Sequence, residues 1–212
     1  QSRGFVYPFL HSSADAKDDP PDGYDREKAA AVLAGYEDQD IPEEQKVNVL
    51  AIMLEAYSDL TSFPALAGLD SVEQVYSYWH TLAQEGYSGR LVTNVFAGGT
   101  VTTERAFLTG FSQLGSFRSP TNSYARYFLS QGYRVTGSHP NNDWFYNRLN
   151  VNENLGFSDY LYYENYYQEL LPDLEATQRD SDGVLFPELL KQLDGGDKPC
   201  FSFSVTFQNH GP

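Results

Sequence analysis

The chain has 212 residues, 41% of them hydrophobic, enough for one sizeable core and too few for several ordinary domains. Its 14 Lys and Arg stand against 29 Asp and Glu, a formal charge of -15, and the acids are spread along the chain, so the overall field repels nucleic acid and anionic membrane surfaces. A polyanionic substrate is admitted only where a basic group or a divalent cation reverses the sign locally.

Residues 1–24 mix Pro20, Pro21 and Gly23 with an Asp-rich stretch and read as a lead-in, surface-hugging or flexible, rather than a core element. Residues 25–36 predict a short amphipathic helix on Ala29, Ala30, Val32 and Leu33, and Ile41 and Pro42 mark a break after it. A nearly continuous apolar run over residues 47–54 predicts a strand buried on both faces of a parallel sheet, ending at Glu55. The spacing of Val72, Val75, Tyr76, Trp79 and Leu82, closed by Gly86, predicts a crossover helix. A short strand is expected over residues 91–95. The turn Ala97, Gly98, Gly99, Thr100 then leads into a helix carrying Glu104, Phe107 and Leu108.

Residues 124–131 read as helix and residues 133–137 as strand, followed by an aromatic-rich region over residues 144–167. Residues 182–193 repeat the helical pattern, and a final strand over residues 200–207 carries the single cysteine, Cys200, as a buried thiol. Strand and helix patterns alternate throughout, which predicts an α/β fold with helices on both faces of the sheet. One cysteine permits no intrachain disulfide and leaves the compartment open. No apolar run reaches the roughly 18 residues of a membrane span, and Gln1, Ser2 and Arg3 do not open a signal peptide. Any anchor is expected outside this sequence.

Five residues could carry chemistry. Glu55 follows a strand and should project beyond the sheet's carboxyl edge, where open α/β sheets bind ligands; it suits a metal, and equally a solvent-facing strand end. Thr100 follows two glycines at a predicted helix start, where backbone N–H groups and the helix dipole favour an anion. A hydroxyl there can attack phosphorus or sulfur once a cation lowers its pKa, and the same spacing makes an ordinary N-cap; Thr102 and Thr103 compete for the role. His139 and His210 each follow a predicted strand and could bind phosphate or move a proton. Arg148 offers a forked donor set suited to phosphate or sulfate, or to a surface ion pair. His11, in the lead-in, and His80, on the crossover helix, read as incidental or packed, and Asp59 as a turn cap. The tyrosines 160, 162, 163, 166 and 167 read as core packing rather than as a ligand platform.

Taken in order, these stretches resemble the lipoteichoic acid synthase family and its alkaline phosphatase/sulfatase-like relatives, over roughly residues 47–212. Asn48 to Glu55 looks like the family's first strand with its metal-binding Glu. Gly98-Gly99-Thr100, with Glu104 and Phe107 to Gly110, looks like the nucleophile turn and helix. Ser138-His139, Asn147-Arg148 and Leu155-Gly156-Phe157 resemble the substrate-pocket stretch, and Asn209-His210-Gly211-Pro212 the family's Asn-His-(Gly/Phe)-Pro block. The resemblance implies a mostly parallel sheet flanked by helices and incomplete at its C-terminus, with residues 1–45 as lead-in linker and short helix and residues 46–212 as the N-terminal part of the catalytic domain.

It also implies an outward-facing, membrane-anchored phosphoglycerol transferase that takes glycerol phosphate from phosphatidylglycerol or a similar anionic lipid. Thr100 would be the nucleophile and, with Glu55, a ligand of Mn²⁺ or Mg²⁺. His139, Arg148 and His210 would grip the phosphate oxygens, and a glycolipid or glycerophosphate hydroxyl would accept the group. The chain departs from the family at Asn141 and Tyr146, where synthases carry an acid and a tryptophan, with Asp143 and Trp144 close by. The family's remaining Asp-His metal ligands follow the final block and are not in this sequence, so weak metal binding and an inactive isolated chain are expected. Two other functions compete: a sulfatase or phosphoethanolamine transferase of the same superfamily, and a non-catalytic cell-envelope binding module. Thr100 cannot be converted to formylglycine as a sulfatase Cys or Ser can, which favours phosphoryl transfer.

Overall fold

The structure, a computed structural model, describes residues 20, 22–36, 39–93, 95, 98–111, 115–170 and 181–210. His11, Ala97, Gly211, Pro212 and most of the lead-in, residues 1–19 and 21, lie outside the described residues.

Four parallel strands form one sheet in the order β1-β4-β2-β3: β1 Val49–Met53, β2 Arg134–Ser138, β3 Asp159–Leu161 and β4 Cys200–Val205. Val49 pairs with Phe201 and Met53 with Val205, while Arg134 pairs with Cys200 across the other side of β4. All six residues of β4 are buried. Its alternation sorts two chemistries onto two faces. Phe201, Phe203 and Val205 enter the main core, where Phe128 stacks on Phe201 at 4.4 Å, and the half-exposed Phe107 stacks on Phe203 at 5.5 Å from the core's margin. Each such apolar side chain contributes roughly 1.5–3 kcal/mol by leaving water. Ser202, on the opposite face, donates to the side-chain carbonyl of Gln192 at 3.3 Å. The same face packs beside a smaller cluster of Tyr167, Leu185 and Leu189. Gly137 in β2 has no room for a Cβ, which would collide with the Phe203 carbonyl and the Tyr160 ring.

Six α-helices of eight residues or more, or seven at α4, surround this sheet among the described residues: α1 Arg26–Leu33, α2 Asp70–Glu85, α3 Thr100–Thr109, α4 Tyr124–Ser130, α5 Arg148–Leu155 and α6 Asp182–Asp194. Local chemistry sets their ends. Asp25 caps α1 and Ser123 caps α4 through their side chains, satisfying N–H groups that have no partner inside the helix. Gly110 and Gly156 close α3 and α5 in the left-handed conformation, where glycine carries no Cβ penalty.

Several expectations are corrected. The first strand is not buried on both faces: Val49, Ala51 and Met53 face the core, but Leu50 and Ile52 are 37% and 36% exposed. Its apolar continuity predicted cover on both faces, yet β1 is an edge strand of the sheet among the described residues. No strand forms at residues 91–93 or 95; Leu91 and Val92 are 82% and 90% exposed. The helix over residues 26–33 forms but buries none of its residues, because its apolar positions do not gather into a strong stripe. The crossover helix also forms without a fully buried residue. In the aromatic region α5 and β3 carry no periodic signal of their own, since polar Asn and Arg interrupt any apolar period there. Part of the lead-in is tethered: Ile41 N–H donates to the Gln131 side chain at 2.8 Å, and the Tyr127 hydroxyl to the Gln39 carbonyl at 2.8 Å.

Candidate active site

Because the strands are parallel, the carboxyl ends of β1, β2 and β4 share one edge of the sheet. Glu55 follows β1 by two residues, and its backbone N–H donates to the Thr206 hydroxyl at 2.9 Å, tying the end of β1 to the end of β4. The following residue, Ala56, takes φ +54, a conformation that L-residues seldom adopt, and turns the chain off the strand axis.

Thr100 arrives from the other side. Gly98 and Gly99 both adopt φ +71, and at Gly99 a Cβ would also meet the Val95 side chain at 2.6 Å. Only glycine fits that turn without strain. It delivers Thr100 as the first residue of α3, and the Thr100 hydroxyl donates to Glu55 Oε1 at 2.7 Å across 45 positions of sequence. The pair forms part of the wall of a cleft of about 1090 Å³, which Tyr57, Phe63, Tyr146 and His210 also line. The His210 ring is held by stacking on Phe207, with centroids 4.6 Å apart.

Beneath the cleft lies a buried polar layer. His139, the first residue past β2, is 1% exposed. Its Nδ1 lies 3.1 Å from the Val205 carbonyl; a carbonyl only accepts, so Nδ1 carries the proton. Nε2 is then a bare lone pair, buried and without a hydrogen-bond partner among the described residues. Burial, and next the charge of Arg148, push the His139 pKa down from 6.5 to about 3. The neutral ring presents Nε2 as a hydrogen-bond acceptor.

Arg148, the first residue of α5, is 2% exposed, and its Nη2 donates to Glu104 Oε2 at 2.9 Å. Burial opposes its charge, but the Glu104 carboxylate and its hydrogen bond more than offset that, so the pKa is raised. The Tyr146 ring covers the guanidinium, 5.5 Å from Cζ to centroid. Tyr146 itself sits at φ +56 in the turn Phe145–Asn147, where Arg105 donates to its carbonyl. The structure thus brings Glu55, Thr100 and His210 to one cleft and places His139 and Arg148 below it.

Sequence reasoning missed three participants: Glu104 as the partner of Arg148, Thr206 as the clamp on Glu55, and the strained backbone of Tyr146. The first had a signal, since Glu104 lies four positions after Thr100 and shares its helix face. Asp59 caps the turn Leu60–Ser62 and holds His80 at 2.8 Å. Tyr160 and Tyr162 stack at 4.7 Å inside the core, which bears out the packing reading of the tyrosines.

A divalent cation suits the donor chemistry at Glu55 and Thr100, a carboxylate and a hydroxyl already adjacent, because hard cations take oxygen ligands. Among the described residues no group of three or more His, Cys, Asp or Glu is arranged to hold an ion, so an ion held at these two oxygens would need further ligands.

A parallel sheet whose carboxyl edge carries a Glu and a helix-N-terminal Thr in contact defines an alkaline phosphatase-like α/β domain. Residues 47–212 match the sulfatase family model, and the chain belongs to the sulfatase family. Among solved structures it is similar to the Streptococcus pyogenes phosphoglycerol transferase GacH, determined in complex with sn-glycerol-1-phosphate, at 19% identity and a TM-score of 0.64, over 92% of this chain and 55% of that one. The Listeria monocytogenes lipoteichoic acid synthase LtaP matches at 19% identity and a TM-score of 0.56, over 87% of this chain and 47% of that one. An alkaline phosphatase superfamily protein from Vibrio parahaemolyticus matches at 20% identity and a TM-score of 0.58, over 79% and 41%. These likenesses show the fold. In sequence the chain is 32% identical over 181 residues to a putative cyclic beta-1,2-glucan modification protein of Rhizobium meliloti (strain 1021), covering 79% of this chain and 26% of that protein. The chain therefore spans about a quarter of that relative and about half of the solved ones. No helix among the described residues is long and apolar enough to cross a membrane.

Proposed function

We propose that this chain carries the nucleophile side of a metal-dependent phosphoglycerol transferase that acts on phosphatidylglycerol or a similar anionic lipid at the outer face of the cell membrane. The observation that carries the reading is the 2.7 Å contact between the Thr100 hydroxyl and the Glu55 carboxylate in the wall of a large cleft. Glu55 and Thr100 would hold Mn²⁺ or Mg²⁺ together with ligands from elsewhere in the protein. When bound, such an ion lowers the pKa of a coordinated hydroxyl and neutralises charge on the phosphoryl group.

Thr100 Oγ1 attacks phosphorus and gives its proton to Glu55, and the bond from phosphorus to the diacylglycerol oxygen breaks as that oxygen takes a proton from water. The product is a glycerophospho-threonine. An acceptor hydroxyl then attacks the same phosphorus, the bond from phosphorus to Thr100 Oγ1 breaks, and the acceptor's proton passes by way of Glu55 to Oγ1, restoring the threonine. The N–H groups of the first turn of α3 face the non-bridging oxygens as in other helix N-terminal anion sites. His210 stands in the cleft to donate to the phosphate, Arg148 supplies positive charge from beneath, and His139 accepts from a substrate hydroxyl.

For the acceptor, the glucan-modifying relative favours a glycan hydroxyl, such as that of a cyclic glucan, over the end of a glycerophosphate polymer. The test uses the full-length protein with Mn²⁺ and labelled phosphatidylglycerol, with and without cyclic glucan. Diacylglycerol release that needs Thr100, and label transferred to the glucan, support the reading. Release that survives Thr100→Ala removes the nucleophile, and no release from the wild type removes the transferase.

A further inference from the structure

With its neighbour Arg105, Glu104 is a buried charged group that the chemistry above leaves unused. It lies one helical turn beyond Thr100 on α3, so the two side chains share a face. It is 2% exposed, as is its partner Arg148, and the two are joined by Nη2 to Oε2 at 2.9 Å. Two carboxylates act on that guanidinium: Glu104 most strongly, through charge and a hydrogen bond, and Glu55 through charge alone. Glu55 spends its Oε1 on the Thr100 hydroxyl instead.

A buried ion pair is weak evidence for a stabilising role, because desolvation cancels much of the attraction; where it persists it can fix one geometry among alternatives. A buried guanidinium deprived of Glu104 must find another acceptor, and the other carboxylate whose charge it already senses is Glu55. Pairing with Glu55 would draw that carboxylate off Thr100 and bind it to a cation of the protein's own.

We propose that Glu104 is a positioning residue: by taking the charge of Arg148 on the same helix that carries Thr100, it fixes the site's cation in register with the nucleophile and keeps Glu55 free to engage it. Tyr146 seals the arrangement from the cleft side, with its ring over Arg148. This inference rests on reading Thr100 as the nucleophile, so the test begins by establishing turnover in the wild type and its loss in Thr100→Ala.

With that in hand, kcat and KM for diacylglycerol release are measured for Glu104→Gln, Arg148→Gln and the double variant, each checked for folding by thermal melting. Glu104→Gln keeps the shape and one acceptor but not the charge. The expected result is a fall in kcat on the order of 100-fold, the scale of a misplacement by about 1 Å at a reacting centre, with KM changed less than about threefold. Glu104→Asp, which restores charge on a shorter stem, recovers part of the rate. Because Glu104 acts through Arg148, adding Glu104→Gln to Arg148→Gln costs little more. Wild-type kcat in folded Glu104→Gln, or a loss that repeats in full in the Arg148→Gln background, overturns the proposal while leaving the nucleophile reading intact. Should Glu104→Gln fail to fold, the paired replacement Glu104→Leu with Arg148→Met removes both charges together. It must then fold yet turn over as slowly as Arg148→Gln, and a wild-type rate there overturns the proposal equally.

Discussion

Glu55, Thr100 and His210 line the cleft, whereas His139, Arg148 and Glu104 lie beneath it, all at one edge of one sheet. The upper set is linked by a hydroxyl-to-carboxylate bond that a substrate or cation can rearrange. The lower set is desolvated and committed, with His139 tied to Val205 and Arg148 to Glu104. The difference teaches that parallel topology fixes which residues reach the working edge, while depth decides which of them can exchange partners with a ligand.

That contrast can be broken from either side. Thr100→Ala should abolish turnover while shifting the melting temperature little, because its hydroxyl is at a cleft wall; assays of diacylglycerol release and thermal melting read the two effects separately. Arg148→Met should do the reverse in kind, losing about 3–5 kcal/mol of stability by leaving Glu104 buried and unpaired, as denaturant unfolding would show. A loss below about 1 kcal/mol would mean that the lower layer is open to water.

His139 provides a pH test. Its folded pKa lies near 3 against an ordinary 6.5, so the unfolded chain binds the extra proton first. Stability from the neutral ring is complete above pH 6.5 and is lost as pH falls from 6.5 toward 3, by about 1.4 kcal/mol per pH unit. His139→Gln should flatten that limb by one proton's worth of slope, measured by unfolding between pH 7 and pH 4. The smallest effect is expected at Tyr146, whose φ of +56 is tolerated better by Asn. Tyr146→Asn should change stability by less than about 1 kcal/mol, because relief of strain offsets the lost ring, and it should open Arg148 to solvent, as seen in faster exchange of the surrounding amides.

The upper set was legible in the sequence because its signals are local. An apolar run ending in Glu55 places a carboxylate at a strand's end, and Gly98-Gly99-Thr100 before an apolar helical pattern places a hydroxyl at a helix start. The alternation of elements gave the fold class for the same reason. What stayed hidden depends on distant partners. The pairing order that puts β1 at the edge, with Leu50 and Ile52 half-exposed, is not encoded in the run itself, and a buried strand and an amphipathic edge strand can read alike. Leu91 and Val92 look like strand residues, yet they find no partner strand among the described residues. Whether His139 donates or accepts was set by the Val205 carbonyl, 66 positions away.

The oxygen that takes the phosphoryl group identifies the nucleophile. The full-length protein, given Mn²⁺ and phosphatidylglycerol without acceptor, is quenched early and its peptides are mapped by mass spectrometry. One glycerophosphate on Thr100, absent from Glu55→Gln, is the predicted result. Turnover with the adduct on Thr102 or Thr103, or with no threonine modified at all, would contradict it.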